Sequence, residues 1–263
     1  EDCQEVVALL FNEKEIAMDI EGVGLSRAGE ACIIQMYAPS TAQTYLFDIE
    51  VLKQPAFEEG GLKKLLEHEG ILKIFFDVRS DSDALFHLHG VRVHGAYDIQ
   101  ILYDVKFAHP MDEKLVGLKK VMTEFFEASG ILSPQKMREL EDLKERGRRL
   151  FVPELGGSYE VWKRRPLSKE LVIYATADVK FLVDMKQFWG VCKDDDDMTK
   201  ELDTVVETLS MKRLERFVGL TDAAALNQDK KKYRDFELPE GFNKTDKTTE
   251  TVKVPTSKRG MVI

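Results

Sequence analysis

Three strand-like runs stand close together near the start of the chain: EIAMDI (15–20), ACIIQMYA (31–38) and TYLFDI (44–49). Gly22, Gly24 and Gly29 punctuate the first connection, and Pro39 to Thr41 the second. Such punctuation ends strands, and three strands joined by short connections predict an antiparallel meander. The period then changes. GLKKLLEHEG (61–70) carries leucines at helical spacing, ILKIFF (71–76) is short and nearly all apolar, and SDSDALFHLHG (80–90) opens on a capping serine and stops at a glycine. These predict helix, buried strand and helix. VRVHG (91–95) predicts a short strand, and 98–108 and 115–129 predict amphipathic helices. A charged helix is expected over 133–150, and one long helix over 168–189 with Ser168 as its cap. Three strands, then alternating strand and helix, then mostly helix, fit an α/β domain with a mixed sheet covered by helices.

A short helix over 3–11, capped by Asp2, precedes the first strand. The core domain is expected to span 1–192, ending near DDDD (194–197), with a helical extension over 193–226. From 227 the chain is polar and rich in Lys, Thr and Asp, which predicts a flexible tail. With 43% hydrophobic residues in 263, the chain can bury a sizeable core. No run approaches the roughly 18 apolar residues of a membrane helix, and no signal-peptide pattern is visible, so no membrane partner is expected. Cys3, Cys32 and Cys192 lie far apart and form neither a zinc spacing nor a disulfide framework. A reducing compartment, cytoplasmic or nuclear, is expected. The net charge of -9 argues against a general nucleic-acid coat but leaves room for a local basic track.

The acids need explaining. Asp19 and Glu21 are two apart on a predicted strand and so share a face. Tyr174 and Asp178 are four apart on a predicted helix and share a face there. A third acid comes from FFDVRSDSD, where Asp77, Asp81 and Asp83 compete and spacing does not choose between them. Carboxylates that converge in one cleft repel, and they stay ionised together only beside bound cations. Oxygen donors without required thiolates or imidazoles suit Mg²⁺ or Mn²⁺. Two such ions roughly 4 Å apart would clamp a phosphodiester. Other chemistries lack support: GVGLSRAG has no third glycine at the right offset and a strand follows it, and no G-x-S-x-G appears.

MDIEG, SDSDALFHLHGVRV, AYDIQIL and RRPLSKELVIYATADVKFLVDM, in that order, resemble the DEDD-type 3′–5′ exonucleases of the ribonuclease D-like branch. The Y-x-x-x-D spelling YATAD is that of the DEDDy subtype, and the resemblance covers roughly residues 13–190. FFDVRS stands where many ribonuclease D-like sequences carry His-Gly, which leans the resemblance towards the Egalitarian-like group. The resemblance implies a ribonuclease H-like fold and removal of nucleoside monophosphates from a single-stranded 3′ end, RNA favoured over DNA. It assigns Asp19 and Glu21 to the first motif, Asp81 to the second, and Tyr174 and Asp178 to the third. Asp19, Glu21, Asp81 and Asp178 would hold two Mg²⁺ or Mn²⁺ ions. Tyr174 would hydrogen-bond the attacking water, and Glu21 with the backbone of Gly22 and Val23 would meet the terminal 3′ hydroxyl. Arg165 stands in a family-like segment and would bind substrate. Arg146, Arg148, Arg149, Lys163 and Arg164, and separately Arg27 and Arg79, are further candidates for the strand track. The alternative is an exonuclease fold with little turnover, serving as an RNA-binding or protein-interaction scaffold.

Overall fold

β1 (Glu15–Val23) is the strand on which the others register. The computed structural model describes residues 2–108, 113–192, 195–225 and 232–239, and there β1 lies at the centre of a five-stranded sheet. β2 (Glu30–Ala38) pairs antiparallel with β1, and β3 (Gln43–Asp48) antiparallel with β2. On the other side β4 (Leu72–Phe75) pairs parallel with β1, and β5 (Ala96–Asp98) parallel with β4. The order is β3-β2-β1-β4-β5, a mixed sheet of the ribonuclease H-like kind. The helices are α1 (Cys3–Leu10), α2 (Ile49–Leu52), α3 (Leu62–Leu66), α4 (Arg79–His89), α5 (Ile99–Phe107), α6 (Leu118–Ser129), α7 (Pro134–Phe151), α8 (Lys169–Lys180), α9 (Leu182–Trp189) and α10 (Asp196–Val218). None of the described helices is long and apolar enough to cross a membrane.

Parity along β1 decides which way the acids point. Ile16, Met18 and Ile20 join the core formed with Leu10, Leu65 and Leu85 of α1, α3 and α4. Ala17 joins the core on the opposite face, with Leu102, Val179 and Leu182. Side chains alternate along a strand, so Asp19 and Glu21 follow Ala17 towards α8. The sheet is irregular just there: the β1–β2 register shifts between Glu21 and Gly22. A Cβ at Gly22 would sit 1.9 Å from the Glu30 carbonyl oxygen, so only glycine permits the strands to close at this point.

Several elements differ from the sequence expectation. Residues 91–95 form no ladder; Val91 and Val93 are buried, but the backbone of this stretch turns to α3, with His94 N–H donating to the Leu66 carbonyl at 3.1 Å. Alternating valines meet the same burial need without a partner strand, and pairing begins only at Ala96. The expected helix over 168–189 is two helices, broken at Phe181 (φ -107°, ψ 0°). Neither Pro nor Gly marks this break; the Phe181 ring packs edge-on against Phe126 of α6, 4.9 Å between centroids. α4 starts without a serine cap. The Asp98 carboxylate instead accepts the backbone N–H groups of Asp77 and Val78 at 2.9 and 3.1 Å. Asp77 holds a left-handed backbone (φ 63°), strained for a non-glycine residue, and this Asp98 clamp is what fixes it.

α10 packs across α4 and β5 and delivers Arg213 into the interior. Its guanidinium, 1% exposed, donates to Asp98 at 2.9 Å and to Asp235 at 2.7 Å. Asp235 belongs to residues 232–239, within the segment expected to be a flexible tail. That stretch docks instead: Arg234 pairs with buried Asp104 at 2.9 Å, and Leu115 N–H donates to the Lys232 carbonyl at 3.0 Å. A polar segment gains order here because its charges find buried partners. The rest of the expected tail, 226–231 and 240–263, lies outside the described residues. Breaking a buried pair strands its partner's charge, so Arg213→Ala should lower unfolding free energy by about 3–5 kcal/mol, measured by urea denaturation. A loss below about 1 kcal/mol would show that Asp98 holds the β4–α4 turn without it.

Candidate active site

Two acids from β1 and one from α8 meet at the sheet face. Asp19, Glu21 and Asp178 each bring one carboxylate oxygen to within 4.8 Å of the others. Asp19 is fixed by its cross-strand partner: Gln35 Nε2 donates to Asp19 Oδ2 at 2.9 Å. Asp178 is 5% exposed. Tyr174, one turn earlier on α8, lines the same cavity as Asp178, and its ring packs edge-on against Phe151, 5.0 Å between centroids.

The three acids in the 76–83 segment separate by partner. Asp83 is taken by Arg27, whose backbone N–H and guanidinium donate to it at 2.8 and 2.7 Å. Asp77 is taken by the Arg79 guanidinium at 2.6 Å. Asp81 lies in the first turn of α4 and, with Asp19, Glu21, Tyr174 and Asp178, lines a cavity of about 610 Å³. Its charge acts on Glu21, although it stands outside the 4.8 Å cluster.

Electrostatics follow from crowding. Burial first, then the Asp178 charge, pushes Asp19 up to about 7. Burial first, then Asp19, Asp178 and Asp81, raises Glu21 well above the carboxylate range. Tyr174 is likewise raised, by burial and then by the charges of Asp178, Glu21 and Asp19, so its phenol stays protonated. The donor set is oxygen only, and ionising it fully is unfavourable without added positive charge. Those are the conditions that hard divalent cations meet, so the residues fit Mg²⁺ or Mn²⁺.

The basic candidates divide. Arg148 lines a cleft of about 680 Å³ between α6 and α7 that shares Tyr174 and Asp178 with the acidic cavity. Arg27 and Arg79 do not reach it as a strand track would require: their side chains are 8% and 1% exposed and committed to Asp83 and Asp77. Arg165 lines neither cavity; it forms a two-pronged pair with Asp48 at 2.5 Å and donates to the Trp162 carbonyl at 2.8 Å. Lys163 pairs with Glu30 at 2.8 Å, and Arg149 with Glu145 at 3.5 Å; Arg146 and Arg164 are exposed. Val23 and Gly22 end β1 beside Glu21.

One residue escapes sequence reading. Lys144 of α7 places its ammonium on Asp178 Oδ1 and 5.3 Å from the centroid of the Tyr174 ring. The available signal was Gly147, an isolated glycine inside a helical pattern, which marks a close packing contact. Lys119 and Lys120 in the α6–α7 cleft, and Lys114 and Lys232 in the acidic cavity, add to the basic lining.

Mixed sheet and motif order are those of a 3′–5′ exonuclease domain. The model of the 3′–5′ exonuclease family matches residues 1–189, and the chain belongs to that family. Similar proteins include piRNA biogenesis protein EXD1 of Mus musculus, 26% identical over 181 residues, covering 68% of this chain and 30% of that protein. EXD1 of Bombyx mori is 38% identical over 98 residues, covering 37% of this chain and 30% of that protein. The chain spans about a third of the length of the curated relatives it matches. Among solved structures, Trypanosoma brucei RNase D complexed with RNA U12 shares the fold at TM-score 0.64 and 23% identity, covering 81% of this chain and 66% of that one. Brucella melitensis NrnC with bound Mg²⁺ shares it at TM-score 0.56 and 21% identity, covering 80% and 88%.

The pH sign is fixed by the raised acids. An acid whose folded pKa exceeds its unfolded value binds extra protons when folded, so stability falls as pH rises through the window from about 4 to about 7. Metal-free protein should therefore melt lower at pH 8 than at pH 5.5 in this contribution. Asp19→Asn should raise the metal-free Tm at pH 8 by about 2–4 °C, and saturating Mn²⁺ should flatten the wild-type slope. A scanning-fluorimetry pH series in EDTA and in Mn²⁺ checks both.

Proposed function

We propose that this chain is a metal-dependent 3′–5′ exonuclease that trims single-stranded nucleic acid, RNA in preference to DNA, and releases nucleoside monophosphates. The observation that carries this reading is the convergence of Asp19, Glu21 and Asp178 within 4.8 Å, with Tyr174 lining the same cavity. Asp19, Glu21 and Asp178 would hold one Mg²⁺ or Mn²⁺, and Asp19 with Asp81 would serve a second. Bound ions would activate water and neutralise charge on the leaving oxygen.

The chain's own residues supply position and exclusion. Tyr174, kept protonated, orients the attacking water through its hydroxyl. Gln35 holds Asp19 in one rotamer by its 2.9 Å hydrogen bond. Glu21 and the backbone at Gly22 and Val23 would meet a terminal 3′ hydroxyl. Lys119, Lys120 and Arg148 line the adjoining cleft beside Glu141 and Glu145, and those cations would meet the phosphates of a strand entering it. The RNA complex of Trypanosoma brucei RNase D favours RNA as the substrate class. The Arg165–Asp48 pair supports a role in holding the lead-in to α8 rather than direct contact with substrate.

The second reading is a scaffold with little turnover, favoured by the ammonium of Lys144 already seated on Asp178. End-labelled RNA and DNA oligonucleotides incubated with Mn²⁺ decide between them. Ladder-like shortening from the 3′ end is expected for wild type, and none for Asp19→Ala or Asp178→Ala. Tyr174→Phe should lower turnover about tenfold or more with affinity for the strand retained. Binding without shortening in wild type would favour the scaffold.

A further inference from the structure

α7 lines the cleft that adjoins the acidic cavity, and one glycine sets how closely it approaches α8. Gly147 is buried, and a Cβ there would lie 2.8 Å from Tyr174 Cβ and 2.9 Å from the Glu170 carbonyl oxygen. α7 and α8 therefore approach more closely than any larger residue allows. One turn before Gly147, on the same face, stands Lys144. A surface lysine has an ordinary partner three residues back in Glu141. Lys144 instead turns inward: it is 17% exposed, its ammonium pairs with Asp178, and its Nζ lies 3.6 Å from Met122 Sδ. Tyr174 offers its ring 5.3 Å away. A lysine gives up hydration to make these contacts, and the Asp178 carboxylate supplies compensating charge.

We propose that Lys144 is a resident counter-ion that sets the metal affinity of the carboxylate cluster. In the metal-free protein its ammonium holds Asp178 and relieves part of the repulsion among three crowded acids. When a divalent cation binds the same acids, that ammonium becomes a like charge at short range and weakens the complex. The cluster is thereby kept folded without metal and binds metal less tightly than its acids alone would. Lys144 is in this sense a positioning residue: it acts through Asp178. The proposal rests on the reading of the cluster as a divalent-cation site.

The sign of the effect separates this role from a merely structural one. Loss of packing around Asp178 would weaken metal binding; loss of a competing charge strengthens it. Isothermal titration of Mn²⁺ alone into metal-free wild type, Lys144→Met and Lys144→Arg at pH 8 measures the affinity, and thermal melting in EDTA measures the cost of removing the pair. The expected result for Lys144→Met is about tenfold tighter Mn²⁺ binding with a metal-free Tm lower than wild type. Lys144→Arg keeps the charge and should stay near wild type in affinity. If Lys144→Met fails to fold, Lys144→Gln carries the same prediction. Unchanged or weaker Mn²⁺ binding in a folded neutral variant overturns the role of Lys144 and leaves the metal reading standing. Mn²⁺ that binds neither wild type nor variant removes both.

Discussion

Repulsion among carboxylates is the constraint that this structure is arranged around. Left to themselves, Asp19, Glu21 and Asp178 would separate or take up protons, and the raised titration of the first two shows that pressure. What holds them is rigid placement. β1 is the central strand of the sheet, so its side-chain directions are fixed by pairing on both edges. α8 is pinned through Leu171 and Ala175 to a core shared with Ile33 of β2 and with Trp162. The acids cannot move apart without unpacking strands and helices that have their own reasons to stay.

The second acidic wall depends on a longer chain of contacts. Asp81 sits in the first turn of α4, and that turn is entered through the strained backbone of Asp77. Asp98 clamps it, Arg213 of α10 holds Asp98, and Asp235 from the docked segment completes the set. Buried ion pairs of this kind are weak evidence for net stability, because each charge has given up water. Their effect here is geometric: a helix late in the chain and a short polar segment after it fix a turn near residue 77. Elements that look peripheral in the chain are thus mechanically part of the site.

Net charge and local charge point in different directions, and the structure reconciles them. The chain is acidic overall, at -9, yet the cleft between α6 and α7 is lined by Lys119, Lys120, Lys144 and Arg148. Glu141, Glu145 and Asp178 line the same cleft, so its charge is mixed, and screening to about 8–10 Å makes that local lining, not the net charge, what a ligand there would meet. The family model ends near Trp189, and α10 with its Arg213 lies beyond it.

The sequence by itself determined the parts governed by local chemistry. The strand meander, the parity of Asp19 and Glu21, the shared helix face of Tyr174 and Asp178, the Asp2 and Ser168 caps and the mixed-sheet fold class follow from period and end signals that neighbouring residues set. Tertiary structure alone decided which partner each charge received. Arg27 and Arg79 read as basic residues open to a ligand, and only folding shows Asp83 and Asp77 claiming them. Lys144 read as one more charge on a charged helix, and only the approach at Gly147 brings it to Asp178. The break at Phe181, the loop at 91–95 and the docking of 232–239 were equally out of reach of local signals. Periodicity records which face of an element is buried. It does not record which distant side chain waits there, because that depends on how separate elements stack, and burial makes the stacking energy a property of the pair.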